Sequence, residues 1–461
     1  MTEAPQRPLS QRPPSPSRFP LLGHVPSFVK DPPGFLRKAF ELGDVVRLDV
    51  GSWLYAVHKA EHVKQILHDD HRLFCKGMDQ SKFVPLFGTG LIISEGELWK
   101  RQRRLVQPAF VRNRLDTFVG PTNARTEQLV ERWRSYVESG APFDVHAEAM
   151  ALTLAILGDS VFSVDLSDND PKHVGDALAT ALRVTIDRHF SPLATPMWMP
   201  TPTIVRYKQA LATLREVVDA TIAQRRAAAP TDDLLGRLMS ACEDDVAPMS
   251  NEQLRDEVLT MLLAGHESSA LTLSWTLWEL ALQPELQDAV AEEIERVVGS
   301  AAPSADAVPK LELTTRCIEE SLRLHPPIWL FQRRTLELVN VGGFPIGAGE
   351  VVWLVPYLTH RNPDYWPDPE RFDPSRFEES AKAARPRFAY YPFGGGPRMC
   401  VGASLAVMTE ALLLVAVLRR FRVVPVEERP PVHEYSFSLR PKEGVWLRLL
   451  PRDGSRTGAG G

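Results

Sequence analysis

Cysteine is scarce. The 461 residues hold four, Cys75, Cys242, Cys317 and Cys400, too dispersed for a Cys-x-x-Cys site and too few for a disulfide framework. A reducing cytoplasm is the compartment this predicts. Long apolar runs are missing as well: the most apolar stretch, after Gly402, is interrupted by Thr409 and Glu410 and falls short of the roughly 20 residues of a membrane span. Residues 1–17 are polar and proline-rich and lack the apolar core of a signal peptide. The expectation is a soluble protein without a membrane anchor. Positive charge is in short supply too; the formal net charge is −5, which argues against a nucleic-acid partner. Two apparent motifs also fail. Phe87-Gly-Thr-Gly90 has no strand–loop–helix frame with a lysine, and His266-Glu267 cannot open a His-Glu-x-x-His zinc site because position 270 is Ala270.

What is present centres on Tyr391 to Gly402, Tyr-Pro-Phe-Gly-Gly-Gly-Pro-Arg-Met-Cys-Val-Gly. Gly394, Gly395 and Gly396 let the backbone approach a flat object closely, while Pro397 stiffens the exit. The segment beyond Gly402 is free of Pro and Gly and apolar nearly all round, so it predicts a buried helix. Cys400 therefore precedes a helix N-terminus, where free N–H groups, the dipole and Arg398 favour a thiolate. A lone cysteine is most often a small apolar core residue. Here, however, Phe393, Gly396, Arg398, Cys400 and Gly402 complete Phe-x-x-Gly-x-Arg-x-Cys-x-Gly without departure, and this resembles the signature of the cytochrome P450 family. The resemblance implies a mainly α fold with a small β-rich region, clamping haem b between a long central helix and the cysteine loop. It also implies Cys400 as the thiolate ligand of the iron, Arg398 on a propionate, Phe393 beside the sulfur, and Gly394 and Gly402 among the cofactor contacts.

Taken in order, residues 20–33 read as loop and Phe35–Leu42 as a short helix. Val46, Leu48, Val50 and then Trp53, Tyr55, Val57 alternate as a hairpin, and a helix covers about Ala60–Leu67. Cys75 to Gly96 has no period; in the family this region roofs the substrate pocket, which makes Phe83, Leu86, Phe87, Leu91 and Ile92 candidate substrate contacts as well as packing residues. Trp99 and Arg103 stand one turn apart on a helix face; the resemblance gives them haem propionates. Residues 121–229 are helical apart from Asp165–Pro171 and the proline-punctuated 191–200, whose Met197, Trp198 and Met199 have substrate, membrane or protein as possible neighbours.

The longest helical pattern spans 251–282 and opens with a capping-box spacing, Ser250 to Gln253. Its middle, Ala264-Gly265-His266-Glu267-Ser268-Ser269, resembles the family's oxygen-activating motif, with Ser268 where threonine is usual. By that resemblance Glu267 and Ser268 are the catalytic pair, and Ala264 and Gly265 let a ligand approach the backbone. Glu320 and Arg323 match the family's Glu-x-x-Arg, Arg371 matches its third structural partner, and Arg333, rather than Arg334, matches a further propionate ligand. Leu330, Phe331 and Phe437 complete the candidate pocket. Tyr435 to Leu450 reads as a closing hairpin.

These readings predict one domain over residues 18–453 with a disordered tail at 1–17 and a flexible one at 454–461. The implied reaction is monooxygenation with O2, by a cytoplasmic monomer. Electrons come from NAD(P)H through a separate ferredoxin or flavodoxin and its reductase, and the substrate is a lipophilic small molecule: a terpenoid, steroid, fatty acid or polyketide. Arg398, Arg101, Arg104 and Arg419-Arg420 are expected to form the basic docking face for that partner. A peroxide-driven oxidase, an isomerase or a non-catalytic haem protein are the rival readings, and retained Glu267 and Ser268 favour the O2 route.

Overall fold

A helix of 31 residues, Asn251–Ala281, sets the frame. In the computed structural model, which describes residues 12–78, 80–111, 115–163, 171–190, 195–227, 234–240 and 249–452, this helix runs about 46 Å at 1.5 Å per residue. Its start is the capping box that the spacing predicts. The Ser250 hydroxyl accepts from the Gln253 N–H at 3.1 Å, and the Gln253 side chain accepts from the Ser250 N–H at 3.3 Å. A helix so deeply buried must satisfy its own polar side chains. Ser268, Thr272, Ser274 and Thr276 each donate to the carbonyl four residues back, at 2.6, 2.9, 2.5 and 2.7 Å.

Two apolar cores meet along this helix. Leu254 to Leu263 pack into one cluster with Phe83, Phe87 and Leu182, while Ala270 to Ala281 pack into another with Trp133, Ile318 and Leu414. Residues 264–269 belong to neither and lie at the seam. The Ala403–Leu418 helix, buried from Met408 onward, joins both clusters through Met408 and Leu413.

The β structure is peripheral. Val45–Asp49 and Trp53–Val57 form the expected antiparallel hairpin; Trp53–Val57 then runs parallel to Val351–Leu354, which pairs antiparallel with Phe331–Thr335, and Phe74–Cys75 closes the five-stranded sheet. Phe143–Asp144, Trp446–Pro451 and Phe421–Pro425 make a three-stranded sheet.

Several sequence expectations are corrected. Val25–Lys30 is helical rather than loop, a short turn whose Pro26 falls at the first helical positions, where its missing N–H costs nothing. Gln80–Phe87 is helical despite lacking a period and containing Pro85, because Phe83 and Phe87 anchor it in the core. The closing hairpin is instead two separate pairings: His433–Tyr435 joins Leu439–Pro441, and Trp446–Pro451 joins the three-stranded sheet. The N-terminal tail is partly pinned, since the Pro14 carbonyl accepts from the Arg47 N–H at 2.9 Å and that of Pro16 lies 3.0 Å from His24 Nε2. Residues 164–170 and 191–194, parts of two expected interruptions, and the 454–461 tail lie outside the described residues. Of the 191–200 stretch, Met197 packs on the core while Trp198 is 77% exposed.

Candidate active site

The cysteine loop is held by backbone contact. Gly396, at φ 65°, lies so close to the Leu67 carbonyl that a Cβ would sit 1.8 Å from its oxygen, and one on Gly395 would meet Phe388 at 2.5 Å. The Cys400 N–H donates to the Phe393 carbonyl at 2.9 Å, and Arg103 donates to the Met399 carbonyl at 2.6 Å and to Gln107 at 3.0 Å. Cys400 is unpaired and opens onto a cleft of about 760 Å3, whose walls include Trp99, Arg103, Phe110 and Met399. Burial pushes its thiol above the ordinary value, against the Gly402 N–H and Arg103, which favour the thiolate. The Gly402 N–H supplies the helix-start donor that the sequence predicts, but the favouring cation is Arg103 and not the expected Arg398, which pairs with Glu95; a coordinating metal ion deprotonates such a thiol outright.

Beside this loop, positive charge exceeds negative. Arg398 pairs with Glu95 and lies 4.7 Å over the Trp99 ring, and its Nη1 is buried without a partner among the described residues. Arg333, lowered to about 10 by burial and then by Arg398, donates only to the Gln332 carbonyl at 2.8 Å among the described contacts. Lys76 is lowered to about 7, chiefly by burial; its ammonium donates to the Leu91 and Ser94 carbonyls at 2.6 and 2.8 Å, and its N–H to Glu95 at 2.5 Å. Arg398, Arg333 and Lys76 turn inward around Glu95, with Glu257 also near Lys76, and form a receptor for further anionic groups. Sequence reasoning found Arg333 and Arg398 but missed Lys76 and Glu95, which no local pattern marks. Arg334 lies elsewhere, donating to the Gly349 carbonyl at 2.9 Å. Trp99 and Arg103, expected on one anion, are divided: Trp99 lies under Arg398, and Arg103 braces the cysteine loop.

At the seam of the two cores Ala264 is exposed, although Leu263 before it is buried. The Ser268 hydroxyl is bonded to the Ala264 carbonyl, one turn back. A Cβ on Gly265 would come within 2.9 Å of Leu157. Glu267 is buried and ion-paired with Arg440. The candidate pocket residues are dispersed: Phe83, Leu86, Phe87 and Leu91 are buried in one cluster against which Ile92 and Phe437 pack, whereas Phe331 and Leu330 pack on two others.

Glu320 and Arg323 are fully buried and joined by two bonds of 2.6 and 2.8 Å. The third partner is not Arg371, whose side chain is 67% exposed and which offers Arg323 only its carbonyl, at 3.1 Å. Arg376 takes that place, with Nε 3.4 Å from Glu320.

The family description Cytochrome P450 matches residues 13–448. Cyclooctatin synthase of Streptomyces melanosporofaciens is 32% identical over 95% of both chains, and cyclooctat-9-en-7-ol 5-monooxygenase of the same organism is 32% identical over 89% of both. The crystal structure of the cytochrome P450DA heme domain superposes with a TM-score of 0.86 at 26% identity, covering 95% of this chain and 98% of that one. With the cysteine loop, the long central helix and the buried Glu320–Arg323 pair on one scaffold, this chain belongs to the cytochrome P450 family and is a monooxygenase.

Proposed function

We propose that Cys400 is the thiolate ligand of haem b and that Arg333, Arg398 and Lys76, with Trp99 beneath Arg398, receive its propionates. The observation that carries this reading is the surplus of buried positive charge beside the cysteine loop, including the unpartnered Arg398 Nη1. The exposed face of Ala264 and the open surroundings of Gly394 and Gly402 suit a flat macrocycle. Bound there, the haem supplies the reduction of O2 and the transfer of one oxygen atom. The chain's own part is to hold that group, to exclude water with the two apolar clusters, and to supply protons from Glu267 through the Ser268 hydroxyl.

The substrate in this reading is lipophilic, bounded by Phe87, Leu91, Ile92 and Phe437; similarity to an enzyme named as acting on cyclooctat-9-en-7-ol supports a cyclic terpenoid as one candidate class. Electrons arrive from a separate acidic ferredoxin or a flavodoxin. Arg419 and Arg420, expected in its docking face, are engaged by Glu127, and Arg398 is turned inward. The surface proposed for docking therefore narrows to Arg104 and to Lys100, whose pair with Glu97 at 2.6 Å is solvent-exposed on both sides, around exposed Met399 and Val111, along the cleft that reaches Cys400. The unit proposed is a soluble monomer over residues 18–453. One helical stretch among the described residues, Val145–Phe162, is long and apolar enough to span a membrane, but over half of it is buried in the fold.

The test is Cys400→His. Its reduced CO complex should lose the red-shifted Soret band of a thiolate-ligated haem; retention of that band would show that another residue is the ligand.

A further inference from the structure

A second cavity, of about 120 Å3, lies between the Val145–Leu157 helix, the Pro171–Phe190 helix, the central helix and the Leu439–Pro441 strand. Its polar wall is His146, His266, Glu267 and Arg440, and Leu182 and Leu263 are among its apolar lining. At about 30 Å3 per water there is room for roughly four molecules.

The four polar groups are not equivalent. Arg440 is committed to Glu267. His266 is fixed: its Nε2 lies 2.9 Å from the Met150 carbonyl, and burial lowers it to about 4, so it stays neutral. His146 differs in being a half-buried rather than a buried residue; it also lines the cavity, and its Nδ1 lies 3.3 Å from the Ser274 hydroxyl. Burial holds His146 below its ordinary value, Asp144 and Glu267 draw it back up, and Arg440 opposes them. Among the described residues lining the cavity, His146 is therefore the half-buried histidine beside Glu267, where His266 is the buried one.

We infer that this cavity is the proton inlet of the enzyme: His146 takes protons from solvent and hands them through enclosed water to the Glu267 carboxylate. Arg440 is a positioning residue that holds that carboxylate at the cavity wall through their ion pair. The inference rests on the reading of Glu267 and Ser268 as the proton-handling pair. No electrons move. Each step breaks one N–H or O–H bond and forms another, and solvent reprotonates His146 once per proton delivered.

The experiment uses the full chain loaded with haem. In the diamagnetic reduced CO form, the ring resonances of His146 are titrated by NMR in the parent, Glu267→Gln and Arg440→Gln. The midpoint should fall in the first variant, which removes an attracting carboxylate, and rise in the second. With substrate and redox partner, His146→Gln should turn over ~10-fold more slowly with a larger solvent deuterium isotope effect, while substrate-induced Soret shifts and first-electron reduction stay at parent values. A purely structural imidazole would leave the isotope effect and the turnover unmoved, while the titration reports that His146 and Glu267 share one field. Normal turnover and isotope effect in His146→Gln, with Glu267→Gln slowed, overturns the inlet and leaves the Glu267 reading standing. Parent-like turnover in Glu267→Gln overturns both.

Discussion

Replacing Arg376 by alanine should destabilise the protein by about 3 kcal/mol, whereas Arg371→Ala should cost less than about 0.5. The Arg376 side chain is 10% exposed and donates to the Pro367 and Asp368 carbonyls at 2.6 and 2.8 Å, with its Nε 3.4 Å from Glu320. Hydrogen bonds from a charged donor are worth roughly 1.5–3 kcal/mol each before water recovers part of the loss, so two of them set the figure. The substitution also leaves Glu320, whose carboxyl burial already pushes upward, with Arg323 as its nearest remaining cation among the described contacts. Arg371 stands 3.8 Å from Asp373 in solvent, a pair of the kind that contributes about 0–1 kcal/mol. The carbonyl it offers Arg323 survives the change to alanine. Urea unfolding followed by far-UV circular dichroism, with both variants and Arg323→Ala as the upper bound at about 3–5 kcal/mol, decides the matter. Equal losses at 371 and 376, or a larger one at 371, would refute the assignment of the third partner.

Three further outcomes are expected. Burial raises Glu257 from 4.5 to about 7, so its contribution to stability is full below about pH 4.5 and is lost as pH rises through 7. Glu257→Gln, which keeps an oxygen for the Leu91 N–H at 3.1 Å, should gain roughly 3 kcal/mol over the parent at pH 8 and nothing near pH 4; a gain independent of pH would sink the argument. Ser268→Ala should leave haem content and substrate affinity unchanged yet divert reduced O2 to peroxide, read as product and peroxide per NAD(P)H, and tight coupling in that variant would clear the hydroxyl of a role. Charge reversal at Lys100 and Arg104 should slow reduction by an acidic ferredoxin in a salt-dependent way, while dithionite reduction holds; equal slowing of both would remove the docking surface.

Local features of the site were legible in the sequence, and features built from distant segments were not. The cysteine loop, the 264–268 stretch and the Glu320–Arg323 pair each lie within one element, so residue order carries their geometry. The third partner was a different problem, because the chain holds Pro-x-Arg-Phe twice, at Pro369–Phe372 and Pro374–Phe377. The structure selects the second copy. Asp373 caps the short Pro374–Phe377 turn, accepting from the Ser375 N–H at 3.1 Å, while its own N–H donates to Glu320 at 2.8 Å. That link holds the second turn, and with it Arg376, against the buried carboxylate. Lys76 and Glu95 escaped because they meet Arg398 only through folding.

Arg440 shows the same limit from the other direction. Alternation over 435–450 predicts one hairpin, and in a hairpin closed at Pro441–Gly444 the strand carrying Arg440 would pair with Val445–Leu450. At Gly444, with φ 80°, a Cβ would stand 2.4 Å from the Asp144 carboxylate. The chain passes close enough for Asp144 to accept from the Val445 N–H at 2.9 Å, and Val145 donates to the Val445 carbonyl at 2.9 Å. Those contacts commit Trp446–Pro451 to Phe143–Asp144 and Phe421–Pro425. The Leu439–Pro441 strand is left paired only with His433–Tyr435 in its sheet, and from there Arg440 reaches Glu267. Asp144 also accepts from the His146 N–H at 3.0 Å. One carboxylate, Asp144, therefore fixes both the strand exchange that frees Arg440 and the start of the helix that carries His146, which couples the two sides of the cavity behind Glu267 to a single backbone junction.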